Sequence, residues 1–151
     1  MEKIITLQGF DVAGIQIRTT NKLAIDSNSI GKLWDLFFET YLNKITNRID
    51  DNIIALYHNY ETDRNGFYTL LIGYRVKPIL NKLPQTDNLV HTSVPDQQYV
   101  VFESQCEKNK VLKTWQKIWQ CEDEKTINRK YGYDYEIYFS KDSTMEIHIS
   151  I

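Results

Sequence analysis

Tyr131-Gly132-Tyr133-Asp134-Tyr135-Glu136-Ile137-Tyr138-Phe139 is at once aromatic, β-prone and acidic. In an extended strand, alternate side chains project to opposite faces. Asp134, Glu136 and Tyr138 then share one side, and Tyr133, Tyr135, Ile137 and Phe139 line the other. One face is a hydrophobic anchor; the other sets a carboxylate beside an aromatic ring. A carboxylate among rings can hold an organic cation through charge and ring quadrupole together. It can equally be a solvated residue on a wet sheet face, and periodicity alone leaves both readings open.

Outward from this stretch, residues 144–151 alternate Met145, Ile147, Ile149 and Ile151 with Glu146, His148 and Ser150, a strand with one wet face. Upstream, Val111, Leu112, Trp115, Ile118 and Trp119 fall at helical spacing behind a cap at Asn109, and Gln98 to Gln105 alternates as a strand. The acidic run Glu122-Asp123-Glu124 reads as a solvated loop. In the first half, residues 3–18 are extended, with Gly14 marking a bulge or a close backbone approach. Asp26-Ser27-Asn28-Ser29 offers caps, and Ile30, Leu33, Trp34, Phe37, Phe38, Tyr41, Leu42 and Ile45 predict one amphipathic helix. Residues 46–52 read as a turn, and 53–60 and 67–76 as a hairpin with Asn65-Gly66 at its end. A polar stretch carrying Pro78, Pro84 and Pro95 leads into the second half.

The order strand, helix, strand, strand thus occurs twice. An offset of 81 residues carries Ile30 to Val111, Trp34 to Trp115, Phe38 to Trp119 and Tyr57 to Tyr138, with identities at Lys32/Lys113, Lys44/Lys125, Asn47/Asn128 and Arg48/Arg129. Halves this small bury too little core alone. The expected fold is α+β: one domain over 1–151, built from duplicated β-α-β-β units (about 1–80 and 88–151) with pseudo-two-fold symmetry. An antiparallel sheet carries two main helices that flank a central cleft, a place where pockets form. Glu136 falls opposite Ala55 in the repeat, so its carboxylate belongs to the second half alone.

Composition narrows the function. A net charge of -2 with scattered basic residues gives no nucleic-acid-binding face. The start carries no signal-peptide pattern and no apolar run approaches the ~20 residues of a membrane span, so a cytoplasmic protein is expected. Cys106 and Cys121 are too few for a disulfide framework and read as free thiols. His58, His91 and His148 share no ligand spacing, so no metal is expected; no nucleophile arrangement and no Gly-rich phosphate loop is present, and no cofactor is expected. Ten tyrosines and three tryptophans suit an adaptable pocket, since tyrosine is costly to bury without a hydroxyl partner.

The chain resembles the effector-binding domain family of GyrI-like proteins, whose domain also forms the drug-sensing part of several bacterial transcription activators. The resemblance spans essentially the whole chain. In the first half it is carried by Phe10-Asp11-Val12-Ala13-Gly14, Ile30-Gly31-Lys32-Leu33-Trp34 and Tyr68-Thr69-Leu70-Leu71-Ile72-Gly73. In the second it is carried by Tyr99-Val100-Val101-Phe102, Trp115-Gln116-Lys117-Ile118-Trp119 and Tyr135-Glu136-Ile137-Tyr138. It implies a cleft for small amphiphilic or cationic molecules, with Glu136 at its floor. The segments Trp119 to Asp123, Lys130 to Tyr133 and Glu103 to Glu107 depart from the family pattern, so a different rim is expected.

Around Glu136, Tyr138 and its repeat partner Tyr57 are candidate ring walls or hydroxyl donors. Trp119 and Phe38 are candidates for the groove, and of Tyr68 and Tyr74 at least one reaches it. The inner pair, Trp34 and Trp115, is expected in the core. The expected function is a stand-alone binding protein for a hydrophobic or cationic small molecule, a sensor or sequestering module. No direct DNA binding, no membrane contact and no helix-turn-helix ahead of the module are expected, and a homodimer is left open. One alternative is a hydrolase of strained electrophiles, with Glu136 as base and Tyr57 or Tyr138 as proton donor. The other is a protein-interaction module, as in gyrase-inhibiting relatives, working from an outer face.

Overall fold

The computed structural model describes residues 2–78 and 88–151, so Pro84 lies outside the described residues. Its strands are β1 Lys3–Leu7, β2 Phe10–Thr19, β3 Arg48–His58, β4 Tyr68–Val76, β5 Val90–Val94, β6 Gln97–Gln105, β7 Asp134–Tyr138 and β8 Thr144–Ser150. The helices are α1 Asn21–Ser27, α2 Ser29–Leu36 and α3 Lys108–Asp123. The strands form one antiparallel sheet in the order β1-β6-β8-β7-β3-β4-β2-β5. Exchanging each first-half strand with its second-half counterpart reverses this order, which is the topology of a pseudo-two-fold. The leading strands cross over: β1 pairs with β6 and β5 with β2, so each half completes the other's sheet.

The axis can be placed to the residue. In the central β3–β7 pair, Ala55 stands opposite Glu136, Ile53 opposite Tyr138 and Tyr57 opposite Asp134. The 81-residue offset maps this register onto itself, so the axis runs through the Ala55–Glu136 pair. Farther out the offset drifts, because loops differ in length: β1 at Lys3–Leu7 corresponds to β5 at Val90–Val94, an offset of 87.

Three local expectations are revised. The single helix over 30–45 is α2 followed by a π-helical turn at Phe37–Tyr41, and α1 precedes it. Thr20 caps α1 by accepting from the Leu23 N–H at 3.0 Å, and Asn28, at φ 54, both ends α1 and begins α2. Leu33, Phe37, Tyr41 and Ile45 stay buried at four-residue steps because the π turn widens the winding between them. β3 begins at Arg48 rather than after the expected turn, with a register shift between Arg48 and Ile53. The wet face expected on β8 is largely dry: His148 and Ser150 are buried, and the His148 ring stacks on Tyr135 at 4.5 Å. β8 lies between β6 and β7, and both faces of the sheet are covered there.

Both faces carry core. On the helix face, Leu33, Phe37, Leu70 and Ile72 pack in one half and Phe102, Ile118, Met145 and Ile147 in the other, with Tyr138 touching both clusters. On the opposite face, Tyr135 and Ile137 join Val12, Ile54, Leu56, Leu71 and Tyr99. The two-faced reading of the tyrosine-rich strand therefore describes its packing.

Gly14 and Gly73 face each other across β2 and β4. A Cβ at Gly73 would lie 1.8 Å from the Ala13 carbonyl oxygen, and one at Gly14 2.0 Å from that of Ile72. Gly14 thus marks a close backbone approach rather than a bulge. Gly73→Ala forces the strands apart and is expected to cost about 1–3 kcal/mol, read as a lower urea midpoint; an unchanged midpoint would show that the strands part freely.

Candidate functional site

The helix-facing side of β3 and β7 is the floor of a cleft between α1–α2 and α3. It has two lobes that share Ala24, Ile30, Tyr57, Leu112 and Trp115. The first, about 470 Å³, contains Glu136 and Tyr138 and is flanked by Trp34. The second, about 200 Å³, is walled by Tyr60, Tyr68 and Trp119 and bordered by Arg64 and Arg129.

Glu136 is 3% exposed, placed by the centre of the sheet rather than by a loop. Its Oε2 accepts from the Trp115 indole at 2.7 Å and the Tyr57 hydroxyl at 3.3 Å, and its Oε1 accepts from the Tyr138 hydroxyl at 2.7 Å. An indole N–H can only donate, so Oε2 is held as an acceptor. Among the described residues no Lys, Arg or His forms an ion pair with Glu136. Burial raises the carboxyl above its ordinary value of 4.5, and the bonds from Trp115, Tyr138 and Tyr57 pull it back only in part. Burial, followed by the field of Glu136, pushes the Tyr57 and Tyr138 hydroxyls well above the usual range.

The surrounding rings interlock. Trp34 meets Tyr138 edge-on at 5.2 Å, Tyr57 meets Trp115 edge-on at 5.3 Å, and Trp119 follows Trp115 at 6.2 Å. Asp35 and Glu107 add carboxylates to the lining of the Glu136 lobe, against one lysine, Lys108. The site is an aromatic box with a buried anion and an acidic surround.

Of the candidate residues, Glu136, Tyr138, Tyr57, Tyr68 and Trp119 come together around this cleft. Phe38 does not. It is 51% exposed and stacks on Trp34 at 5.7 Å, because the first-half α-helix gives way to the π turn where α3 continues to Trp119. Tyr74 also turns away, donating to the Leu42 carbonyl at 2.9 Å. Trp34 and Trp115, expected in the core, are partly buried and pack against the two helix-face clusters, and they also line the cleft, Trp34 in the Glu136 lobe and Trp115 in both. One signal for Trp115 was available, since a buried indole N–H seeks an acceptor.

A second polar cluster joins residues that no sequence periodicity links. Asp134, fully buried, accepts from Tyr60 at 2.6 Å, Arg129 at 2.9 Å, and the Ser150 N–H and hydroxyl at 2.7 and 2.8 Å. Glu122 and Asp123 end α3 rather than lying in a loop, and Arg64 grips both at 3.1 and 3.0 Å as well as the Trp119 carbonyl at 3.1 Å. Among the described residues no group of three or more His, Cys, Asp and Glu is placed to hold a metal ion, and no helix is long and apolar enough to cross a membrane.

Residues 3–151 match the family described as Cass2, integron-associated effector binding protein. YobU, a candidate transcriptional regulator of Bacillus subtilis (strain 168), is 31% identical over 136 residues, which are 83% of this chain and 79% of YobU. Among solved structures, the integron cassette protein VCH_CASS2 from the mobile metagenome of Vibrio cholerae aligns with a TM-score of 0.79 and 29% identity, over 99% of this chain and 94% of its own. SAV2435, solved bound to tetraphenylphosphonium, aligns with a TM-score of 0.73 over 99% of this chain and 93% of its own; at 14% identity that likeness is one of fold.

Proposed function

Because the chain belongs to the family of integron-associated effector-binding proteins, we propose that its cleft takes a hydrophobic organic cation, with Glu136 as the counter-charge. The carrying observation is the state of Glu136. It is a buried carboxylate held by three neutral donors, with no cation from the described residues beside it. A lone buried carboxylate is costly unless a charge partner arrives. An organic cation supplies that charge, and each good ring contact adds up to about 2 kcal/mol once water is excluded. The tetraphenylphosphonium held by SAV2435, a protein of the same fold, supports this ligand class.

The hydrolase alternative needs an accessible base and an acidic hydroxyl. Both oxygens of Glu136 already accept hydrogen bonds, and the raised Tyr57 and Tyr138 hydroxyls are weak acids. Binding without turnover is the better fit. On this reading the protein senses or sequesters its ligand in the cytoplasm, with Cys106 and Cys121 as free thiols.

All three tryptophans of the chain, Trp34, Trp115 and Trp119, line the cleft, so intrinsic fluorescence reports on it directly. Titration with tetraphenylphosphonium is expected to quench it saturably. Affinity is expected to be full above the raised Glu136 value and to fall about tenfold per pH unit below it, because a protonated carboxyl offers no counter-charge. Quenching that never saturates, or an affinity flat through the acid range, would remove the counter-charge role.

A further inference from the structure

Resting on that reading of Glu136, we infer that the occupant is an asymmetric organic cation with one aromatic arm, that this arm lies in the second lobe, and that Arg64 closes the far end of the lobe and so limits the arm's length. The cleft has a direction. Along α3, Lys108 and Val111 line the Glu136 lobe alone, Leu112 and Trp115 line both lobes, and Trp119 lines the second alone. The facing wall runs the opposite way: Asn21 and Ile25 line the second lobe, and Trp34 and Asp35 line the Glu136 lobe. A ligand whose charge meets Glu136 therefore has a path onward within the cleft, past Tyr57 and Trp115 and toward Trp119.

The second lobe suits an apolar arm. No carboxylate lines it. The Tyr57 hydroxyl donates to Glu136, Tyr60 to Asp134 and Tyr68 to Asn21, whose amide donates in turn to the Arg64 carbonyl at 3.0 Å. Arg129 gives one nitrogen to Asp134, and its other two are covered by the fold. Apolar surface, in contrast, is left open: Ile25 on α1 is 82% exposed and Leu112 on α3 is 50% exposed, on opposite walls of this lobe. Exposed apolar surface gathered in a concave site calls for an apolar occupant. A dry apolar cavity of about 150 Å³ holds benzene, so this lobe of about 200 Å³ has room for one benzene-sized ring and little more.

Arg64 bounds that room. It lies between β3 and β4 and joins the two walls of the cleft. Its carbonyl accepts from Asn21, the first residue of α1, and its guanidinium donates to the Trp119 carbonyl at 3.1 Å and to Glu122 and Asp123 at the end of α3. Both anchoring points lie at the ends of the walls remote from the Glu136 lobe, so the Arg64 side chain, itself part of the lining, closes the second lobe there. An arm that fills the lobe meets Arg64. A longer one has to displace it from its acceptors on α3.

The test is a series of phenylalkyl trimethylammonium ions, from benzyl to phenylhexyl, titrated calorimetrically against the whole chain. Affinity is expected to rise about fourfold for each CH₂ that carries the ring further into the lobe, to pass through a best length, and to fall beyond it. Arg64→Ala should move the best length to a longer member and bind the phenylhexyl ion about fourfold tighter than the native chain does. Glu136→Gln should weaken every member alike and leave the best length in place. If the short members bind but affinity is flat along the series, or climbs to the longest member without a break, this inference is overturned and the counter-charge reading stands. A best length unmoved in Arg64→Ala would remove Arg64 as the end wall. If the best length persists while Glu136→Gln binds every member as tightly as the native chain, the counter-charge reading falls and the arm keeps its place. If no member binds, both fall. The native series decides alone should Arg64→Ala fold poorly.

Discussion

Glu136→Gln is expected to weaken a lipophilic cation at least tenfold, about 1.4 kcal/mol, while the empty protein keeps its stability. The two halves of this expectation have separate causes. Glutamine has the shape of glutamate; its oxygen can accept from Trp115 and Tyr57 and its amide can donate to the Tyr138 hydroxyl, so the hydrogen-bond geometry survives. What disappears is the charge. In the unliganded fold that charge is a burden, since burial raises the carboxyl. A raised carboxyl contributes stability that is fully present below its ordinary value of 4.5 and is lost as pH rises through the folded value. At neutral pH the Gln variant escapes that loss and should melt at the same temperature as the native protein or higher. The pairing of weaker binding with undiminished stability is the signature of a residue kept for its ligand. Unchanged affinity would end the ion-pair argument, and a melt lowered by several degrees would make Glu136 structural.

The fold is legible where the repeat survives intact. Tyr57/Tyr138 keeps the offset because β3 and β7 pair across the axis, where any slip would turn their side chains to the wrong face, and Trp34/Trp115 on α2 and α3 shares it. Glu136 stands out for the same reason, as a charge facing Ala55 at the centre of that pair. Away from the axis the signal decays. α1 has no buried residue, so no apolar spacing announces it. β5 is five residues long and gains its place only by pairing with a strand of the other half. Phe38 looks equivalent to Trp119 at the level of spacing, yet equivalence needs equal helices, and α2 is eight residues where α3 is sixteen. The Arg129–Asp134 cluster is the least readable of all. Its members come from a loop, two strands and the β3–β4 hairpin loop, with Tyr60 74 residues from Asp134, so neither helical nor strand periodicity joins them.

That cluster should also carry the largest single loss of stability. Asp134→Ala is expected to cost about 3–5 kcal/mol, the usual result of leaving a buried charge without its partner. Arg129 would keep its charge inside the fold with Glu122 at 3.7 Å as the nearest acid, and Tyr60, the Ser150 N–H and the Ser150 hydroxyl would each lose an acceptor. Asp134→Asn should lie between, because the amide oxygen still accepts while the charge is gone. Adding Arg129→Met to Asp134→Ala should recover part of the loss, since an apolar side chain of similar length needs no counter-ion, and the recovered amount measures the coupling of the pair. Urea unfolding of the four proteins tests this. A cost below about 1 kcal/mol for Asp134→Ala would mean that water reaches Arg129 and that the pair behaves as an exposed ion pair.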